Sequence, residues 1–405
     1  MTDARRSLAA FQAAVLDALA DAGSVDEARD AMLRAAEDPE HAAWVRSFEP
    51  RGVETAMELV RHWGARRVDA APGHTLTFVL DAPHVALRLE ERETVEPGPG
   101  QVRLRVRACG VCGTDVHLWE GRFPAPLPIV PGHEPVGEVE ALGAGVTGLE
   151  LGTRVGVPWM QAGCGACVSC RRERPKYCRA QRSWITNGGG FAQTMIVEAA
   201  GCVRLPDGLA YEHAAPMFCA GYTVMSGYRR ARPRPGERVA VLGLGGLGHL
   251  AVQIARAYGH EVFVLTKSPT KARDAKALGA HEVLVTDRHP GRELAKRGGA
   301  DIILSTTSDT NEAGAVALGL REEGRLALMG LGDGPVPIDP LPLLGRQATV
   351  FGVLQDERAD LADLLELAAR GAVLPKIEVY HATQVERALR RLADGRVRYR
   401  AVLRW

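Results

Sequence analysis

The 405-residue sequence predicts an α/β protein in three parts: a short all-α extension, a β-rich part and a doubly wound parallel sheet. Six short apolar runs rich in β-branched residues lie between positions 239 and 353. Helical stretches separate them, which is the pattern of a parallel sheet covered on both faces. Upstream, the segments 85–95 and 101–111 alternate apolar with polar residues, as half-buried strands do. Apolar residues at helical spacing mark the first sixty positions.

The N-terminal extension, residues 1–73, predicts three or four short amphipathic helices. Ser24 and Glu27 have the spacing of a capping box, and Asp38-Pro39 has the composition of a helix start. Pro50 would interrupt that third segment. The apolar stripes need a partner surface, either the rest of the chain or another subunit. The positions on these stripes are Leu8, Phe11, Val15, Leu19, Val53, Met57 and Val60.

Composition excludes several classes of function. A net charge of +1 gives no electrostatic case for binding nucleic acid or an anionic membrane. No uninterrupted apolar stretch reaches the length that spans a bilayer, and charged residues near the N-terminus exclude a secretory signal. The eight cysteines, most of them in or beside the motifs below, indicate a reducing compartment. We therefore expect a cytoplasmic protein without nucleic-acid or membrane partners.

The densest chemical motif is a cluster of four cysteines with the spacing C-x2-C-x2-C-x7-C, formed by Cys164, Cys167, Cys170 and Cys178. Four thiolates suit tetrahedral Zn²⁺, and a closed shell of four sulfurs is a structural site that holds a loop together. The alternative is two disulfides or free surface thiols. The motif predicts a structural zinc.

Three separated motifs together offer a second, open metal site. The segment CGVCGTDVH contributes Cys109 and Cys112, PGHEP contributes His133 and Glu134, and AAPMFCAGYT contributes Cys219. A catalytic Zn²⁺ needs three protein ligands and one exchangeable position, and two thiolates with one imidazole meet that need. The sequence therefore predicts a catalytic zinc as well.

A glycine-rich loop follows the first of the six apolar runs. The segment VAVLGLGGLGH at 239–249 has a short strand before the glycines and an apolar helical run after them. Glycines allow the backbone to turn tightly and approach a pyrophosphate, and a helix N-terminus favours that anion. The loop predicts a dinucleotide site, the alternative being a glycine-rich hairpin. Its residues are Gly243, Gly245, Gly246, Leu247 and Gly248.

The residues after the second apolar run indicate which dinucleotide binds. NAD sites place an Asp or Glu about 20 residues after the glycines, where it accepts a hydrogen bond from the ribose 2′-hydroxyl. Here the run EVFVL is followed by TKSPTK, which contains hydroxyl and basic residues but no carboxylate. Such a segment suits a 2′-phosphate. NADP(H) is favoured over NAD(H), although Lys267 is alternatively a solvated loop lysine. The residues concerned are Thr266, Lys267, Ser268 and Lys271.

These motifs resemble the zinc-dependent medium-chain alcohol dehydrogenases. The stretch from Gly132 to Val146, GHEPVGEVEALGAGV, matches the zinc signature of that family without a gap, and the resemblance runs from about Leu76 to Trp405. It implies a GroES-like catalytic domain at 74–223, a Rossmann dinucleotide-binding domain at 224–354 and a return to the catalytic domain at 355–405. Only the extension at 1–73 lies outside the pattern.

The resemblance also implies roles around the catalytic zinc. Cys112, His133 and Cys219 would be its ligands, and Glu134 would be a carboxylate able to approach the metal during ligand exchange. Asp115 would orient the zinc-bound imidazole, as partners of metal-binding histidines do. The two remaining cysteines, Cys109 and Cys202, are expected to be structural thiols.

Further roles concern the proton, the cofactor and the pocket. Thr114 would relay a proton through its hydroxyl, and His117 would pass that proton to solvent. Thr223 would contact the nicotinamide, and Arg400 would reach the pyrophosphate. Trp119 and Trp159 would line a pocket for flat or medium-sized apolar substrates, with ordinary core packing as the alternative.

The implied function is a zinc-dependent, NAD(P)-linked alcohol dehydrogenase or aldehyde reductase with two Zn²⁺ per chain. Its substrates would be small alcohols, primary or secondary, or their carbonyl forms, and its assembly a homodimer or homotetramer. The alternative is a family member that keeps the fold as a non-catalytic binding or regulatory protein. The complete set of metal-binding residues disfavours that alternative.

Overall fold

A computed structural model describes residues 15, 19, 24–36, 39–47, 70–286 and 288–405. The strands are β1 (His74–Val79), β2 (Arg88–Glu93), β3 (Gln101–Val111), β4 (Glu134–Leu142), β5 (Arg154–Gly156), β6 (Met160–Ala162), β7 (Arg182–Ser183), β8 (Thr194–Glu198), β9 (Val203–Arg204), β10 (Arg238–Leu242), β11 (Glu261–Thr266), β12 (Glu282–Val285), β13 (Ala300–Ser305), β14 (Leu320–Leu328), β15 (Thr349–Gly352), β16 (Ile377–His381) and β17 (Arg400–Arg404).

The α-helices are α1 (Val25–Ala35), α2 (Pro39–Arg46), α3 (Gly113–Trp119), α4 (Val168–Arg171), α5 (Trp184–Asn187), α6 (Tyr211–Ala214), α7 (Ala220–Arg230), α8 (Gly248–Ala257), α9 (Ala272–Ala277), α10 (Pro290–Lys296), α11 (Thr310–Ala315), α12 (Pro340–Arg346), α13 (Arg358–Ala369) and α14 (Val385–Ala393). Within the described ranges, no helix combines the length and the apolar character that crossing a bilayer requires.

The predicted doubly wound sheet is confirmed. Six parallel strands lie in the order β12-β11-β10-β13-β14-β15. The chain winds outward from β10 to β12 and then returns to β13 on the other side of β10. The carboxyl ends of β10, β11 and β13 therefore meet at the point where the winding direction reverses, which is where doubly wound sheets bind ligands.

The two faces of this sheet pack into two separate cores, which explains its continuous apolar strands. On β10, Val239 and Val241 join a core that includes α7 and α8. The alternate residues Ala240 and Leu242 join a core on the opposite face that includes Leu294 of α10. A strand covered on both sides has no polar face, so its sequence shows no alternation.

The β-rich part contains a seven-stranded sheet in the order β16-β17-β3-β4-β5-β9, with β8 also pairing with β3. Burial alternates along the first half of β3, as the sequence predicts. The C-terminal strand β17 pairs antiparallel with β3 and parallel with β16. The last residues of the chain thus complete the sheet that begins more than 250 residues earlier.

The segment 85–95 forms a strand, as predicted, but the prediction that this strand is half-buried is wrong. Its strand β2 is almost entirely exposed, and among the described strands it pairs only with β1. Five of its six residues are charged, so beyond Leu89 it has no apolar face to bury. Arg88 instead forms surface ion pairs with Asp81 at 2.8 Å and Glu90 at 2.7 Å.

The described part of the extension is helical, and its helices bury apolar side chains against one another. Ser24 caps α1 by accepting a hydrogen bond from the Glu27 amide at 3.2 Å, and α2 begins at Pro39, as predicted. A small core, formed by Val15, Leu19, Ala28, Met32 and Val45, joins these segments. A neighbouring helix is therefore one partner of the stripe that carries Val15 and Leu19. The predicted positions Leu8, Phe11, Pro50, Val53, Met57 and Val60 lie outside the described residues.

Candidate active site

Four potential metal-binding side chains from distant parts of the chain converge beside the seven-stranded sheet. The ligand atoms of Cys112, His133, Glu134 and Cys219 all lie within 4.8 Å of one another. Cys112 precedes α3, the His133-Glu134 pair stands at the start of β4, and Cys219 precedes α7. The sequence motifs that predicted an open metal site are thus brought together in space.

The spacing of these atoms fits one tetrahedral Zn²⁺. Two sulfurs at about 2.3 Å from a shared Zn²⁺ lie about 3.8 Å apart, and the two sulfurs of Cys112 and Cys219 are 3.9 Å apart. The imidazole Nε2 of His133 lies 3.4 Å from the Cys219 sulfur. The Cys219 sulfur and the positive charge of His133 hold the pKa of the Cys112 thiol well below its ordinary value, which favours the thiolate that a metal requires.

Asp115 fixes the geometry of this group. Its Oδ2 accepts a hydrogen bond from the Cys112 amide at 2.9 Å, which forms a capping box at the start of α3. Its Oδ1 accepts from the Gly132 amide at 3.2 Å and lies 3.4 Å from Nδ1 of His133. One buried carboxylate therefore contacts two segments that carry metal-binding side chains, and leaves Nε2 of the imidazole facing the sulfurs.

Glu134 has a partner that the sequence did not predict. Arg400 of β17 donates from Nη2 to Glu134 Oε1 at 2.5 Å, and both side chains are buried. The guanidinium also borders the glycine loop, because a Cβ on Gly246 would lie 2.9 Å from Arg400 Nη1. Burial raises the pKa of Glu134 to about 7, and the charge of Arg400 opposes that rise. Arg400 thus lies between the dinucleotide loop and the metal group.

The two predicted proton-transfer residues share one face of α3. Thr114 Oγ1 lies 3.7 Å from the Cys112 sulfur, at the start of the helix. His117 follows one turn later, where its side chain is 21% exposed and its Nδ1 lies 3.9 Å from Glu120 Oε2. Residues three apart on a helix are neighbours on its surface, so these side chains run from the metal group towards solvent.

Aromatic rings surround His133, and two of them were not predicted. Trp159 meets the imidazole edge-on with 5.4 Å between ring centroids. Trp184 lies 5.9 Å from the same imidazole, and Phe123 packs against both tryptophans. Trp119, the other predicted pocket residue, donates its Nε1 hydrogen to the Val85 carbonyl at 2.9 Å. Isolated aromatic residues such as Trp184 belong to no local motif, so their place beside His133 could not be predicted from the sequence.

The four-cysteine motif forms a second compact group of sulfurs. All four Sγ atoms lie within 4.8 Å of one another. Backbone amides point at the sulfurs: the Cys167 amide donates to Cys164 Sγ and the Cys164 amide donates to Cys178 Sγ, each at 3.4 Å. The hydrogen bond from the Cys167 amide lowers the pKa of Cys164 to about 6. The described cysteines are all free thiols, which excludes the disulfide alternative in this structure.

The glycine loop has the predicted strand and helix around it. It joins β10 to α8, and Gly243 has a φ of 88°, which favours glycine. A Cβ on Gly248 would lie 2.0 Å from the Gly243 carbonyl oxygen, so the loop closes too tightly there for any side chain. By contrast, a Cβ on Gly245 would meet no atom within 4 Å. Gly245 therefore faces open space at the carboxyl edge of the sheet.

His249 supports this loop and was not predicted. Its Nε2 accepts a hydrogen bond from the Lys376 amide at 3.3 Å, so its Nδ1 carries the proton and donates to the Gly245 carbonyl at 3.0 Å. Burial lowers the pKa of His249 to about 3, which keeps the ring neutral. The imidazole also stacks on Tyr399 at 5.0 Å. It links the glycine loop to the segments before β16 and β17.

The remaining predicted cofactor residues lie around the same edge of the sheet. Thr223 is buried on α7, one turn after Cys219. Thr266 ends β11 and accepts a hydrogen bond from the Ser268 amide at 3.2 Å. Lys267 is half exposed and its ammonium lies 3.0 Å from Asp309. Lys271 lies over the ring of Tyr399 at 5.7 Å from its centroid.

Known proteins match both halves of this arrangement. A family model described as "Alcohol dehydrogenase GroES-like domain" matches residues 98–207, and one described as "Zinc-binding dehydrogenase" matches residues 246–370. An alcohol dehydrogenase from Geobacillus stearothermophilus is 35% identical over 324 residues, covering 78% of this chain and 96% of the relative. An NADP-dependent alcohol dehydrogenase C 1 from Mycolicibacterium smegmatis is 34% identical over 318 residues, covering 76% and 90% respectively.

A solved structure extends the match to three dimensions. A cinnamyl alcohol dehydrogenase from Sorghum bicolor superposes with a TM-score of 0.74 at 32% identity, covering 82% of this chain and 97% of that one. Fold and site together define a zinc-binding dehydrogenase. The chain belongs to the zinc-dependent medium-chain alcohol dehydrogenase family, as its motifs predict. It is an oxidoreductase that uses zinc and a nicotinamide dinucleotide, NAD(P), to interconvert alcohols and carbonyl compounds.

Two glycine substitutions distinguish a folding role from a binding role within the loop. Gly248→Ala should lower stability by about 1–3 kcal/mol and abolish dinucleotide binding, because its Cβ would force the loop apart. Gly245→Ala should leave the melting temperature unchanged but weaken binding by roughly tenfold or more, because a methyl group there blocks approach of a pyrophosphate. Thermal melting and NADPH fluorescence titration measure both effects. Parent-like binding by Gly248→Ala would contradict the loop assignment.

Proposed function

We propose that the chain is an alcohol dehydrogenase or aldehyde reductase whose catalytic Zn²⁺ is held by Cys112, His133 and Cys219. The observation that carries this proposal is the convergence of these side chains and Glu134 within 4.8 Å. When bound, Zn²⁺ would supply Lewis acidity towards an alcohol or carbonyl oxygen, and the nicotinamide would supply the hydride chemistry. The four-cysteine group would hold a second, structural Zn²⁺. The presence of all the side chains needed for the catalytic Zn²⁺ disfavours a purely binding or regulatory role.

The side chains of this protein would then position substrate and move the proton. Asp115 orients the imidazole of His133, and Arg400 keeps the Glu134 carboxylate beside the metal group. The Thr114 hydroxyl would take the substrate proton and His117 would pass it to solvent; the 3.7 Å distance from Thr114 Oγ1 to the Cys112 sulfur supports this route. Trp159, which is partly buried beside the imidazole of His133, favours substrates with a flat or medium-sized apolar group.

We further propose a preference for NADP(H). The end of β11 supplies Thr266, Lys267 and Ser268 where NAD sites place a carboxylate. Lysine and hydroxyl groups attract a 2′-phosphate, and a carboxylate would repel it. A relative whose name describes it as NADP-dependent supports the same preference.

Assembly as a homodimer or homotetramer is also proposed. The edge strand β15 is exposed at both ends, and the adjacent α12 exposes Leu341 and Leu344 at 73% each. Exposed apolar side chains beside an unpaired strand edge favour association. A cytoplasmic location agrees with eight free thiols, because thiolate zinc sites need reducing conditions.

Zinc analysis combined with kinetics tests the catalytic site. The parent should contain two Zn²⁺ per chain, whereas Cys112→Ala and His133→Ala should contain one and lose kcat/KM by roughly 10³ or more, about 4 kcal/mol of transition-state stabilisation. The control Cys202→Ala lies outside both sulfur groups and should keep both ions and full activity. Parent-like turnover by a well-folded Cys112→Ala variant would refute the proposal.

Parallel initial rates with NADP(H) and NAD(H) test the cofactor preference. The kcat/KM ratio should favour NADP(H), and Lys267→Gln should lower that ratio by roughly tenfold through loss of one charge at the 2′-phosphate. The exposed Lys296 on α10 offers a matched control, because Lys296→Gln removes the same charge elsewhere. A clear NAD(H) preference in the parent would contradict the assignment of residues 266–271.

Light scattering after size-exclusion chromatography tests the assembly. The parent should elute as a dimer or tetramer, and the double variant Leu341→Asp, Leu344→Asp should dissociate because its charges cannot be buried without partners. Leu151→Asp changes another exposed leucine away from this surface and should leave the mass unchanged. A monomeric parent, or an unaffected double variant, would show that this surface is not the interface.

A further inference from the structure

The cation expected at the 2′ position of the dinucleotide is already paired with two carboxylates. The Lys267 ammonium lies 3.0 Å from Asp309 Oδ2 and 3.2 Å from Glu312 Oε1. Lys267 and Asp309 are half exposed, whereas the Glu312 side chain is only 13% exposed. The hydrogen bond that Lys267 donates to Asp309 raises the pKa of Lys267 and lowers the pKa of Asp309, so both groups are charged near neutral pH.

The position of this cluster connects it with the dinucleotide site. Lys267 follows the carboxyl end of β11, and Asp309 follows the carboxyl end of β13. These two strands lie on either side of β10, from which the glycine loop leaves. The ion pair therefore spans the carboxyl edge of the sheet at its switch point, where a dinucleotide is expected to bind.

The charges of the cluster oppose a 2′-phosphate. One ammonium and two carboxylates sum to a net charge of −1, and a phosphate monoester carries about −1.5 to −2 at neutral pH. An ammonium has three N–H donors, and two of them already face carboxylates. A 2′-phosphate at Lys267 must therefore compete with Asp309 and Glu312 for the remaining attraction. The same carboxylates are the acceptors that a ribose 2′-hydroxyl needs.

We propose that Asp309 and Glu312 determine dinucleotide specificity by restraining Lys267. They supply from the β13 side the negative charge that NAD sites carry at the end of the second strand. The preference for NADP(H) is then smaller than Lys267 alone would produce, and the protein accepts both dinucleotides. This inference rests on the proposed function, because it takes Lys267 as the cation at the 2′ position.

If the carboxylates only orient Lys267, their removal should change the affinity for phosphate in the opposite direction. If Asp309 and Glu312 only held the ammonium in place for phosphate, removal of one carboxylate would weaken phosphate binding. If they compete with phosphate, removal strengthens it. The direction of the change in affinity therefore separates the two roles without reference to its size.

Two neutralising substitutions keep the local structure. Glu312→Gln removes one charge and retains a side chain of the same size. Asp309→Asn keeps the helix cap, because an asparagine oxygen can still accept the Asn311 and Glu312 amide hydrogens that Asp309 accepts at 3.1 Å. The matched control is Glu293→Gln on α10, which breaks a 2.7 Å pair with Lys296 away from the loops that follow β10, β11 and β13.

The test measures binding of 2′,5′-ADP and 5′-AMP to the full-length holoenzyme by calorimetry. Glu312→Gln and Asp309→Asn should each tighten 2′,5′-ADP by roughly three- to tenfold and leave 5′-AMP within about twofold, with a smaller change at high salt. Glu293→Gln should change neither. The kcat/KM ratio of NADP(H) to NAD(H) should rise in the same two variants.

Each outcome decides between the inference and the proposed function. Unchanged or weaker binding of 2′,5′-ADP by both variants would overturn the inference while leaving alcohol turnover by the parent intact. Tighter binding by the variants in a protein that turns over no alcohol or aldehyde would support the inference and overturn the proposed activity. If the parent bound neither 2′,5′-ADP nor NADPH, the inference and the proposed preference for NADP(H) would both be overturned.

Discussion

The active-site geometry depends on one buried carboxylate, Asp115. It accepts hydrogen bonds from the backbone amides of Cys112 and Gly132 and faces the imidazole of His133. One side chain therefore holds together the segment that carries Cys112 and the segment that carries His133. A buried charge is costly unless hydrogen bonds and nearby positive charge compensate it, and here the amides and the imidazole do so. The third ligand segment, before α7, packs against this point through the Cys219 sulfur.

The Arg400–Glu134 pair extends this organisation towards the cofactor. Arg400 stands on the last strand of the chain, yet its guanidinium reaches both the Glu134 carboxylate and the edge of the glycine loop. Burial of both partners means that neither charge can be removed alone without leaving the other uncompensated. The metal group and the dinucleotide loop therefore share one electrostatic element, and His249 adds a second, neutral link between that loop and the C-terminal strands.

Local patterns in the sequence predicted those features that local physics determines. The six strands of the parallel sheet were recognised because both their faces are buried, and the glycine loop because its strand and helix are adjacent in sequence. The metal group was predicted from three short motifs that are far apart in the chain, and the family resemblance indicated that they form one site. Contacts between distant residues were missed: Trp184 beside His133, Arg400 beside Glu134, and Asp309 beside Lys267. In each case the pairing arises from the tertiary fold, and no local sequence pattern identifies the partner.

The burial of the strand β2 was predicted wrongly, because a weak alternation in a charged segment does not require a buried face.

Gly110 limits how the catalytic strand can vary. It lies on β3 just before Cys112, and a Cβ there would lie 1.8 Å from Glu134 Oε2. Even the smallest side chain would push the carboxylate out of its place between Arg400 and the metal group. The position therefore tolerates a single residue type, although glycine has no side chain that could bind a metal or transfer a proton. A mutational survey that scored only chemically active residues would overlook it, and a redesign of this strand must leave it untouched.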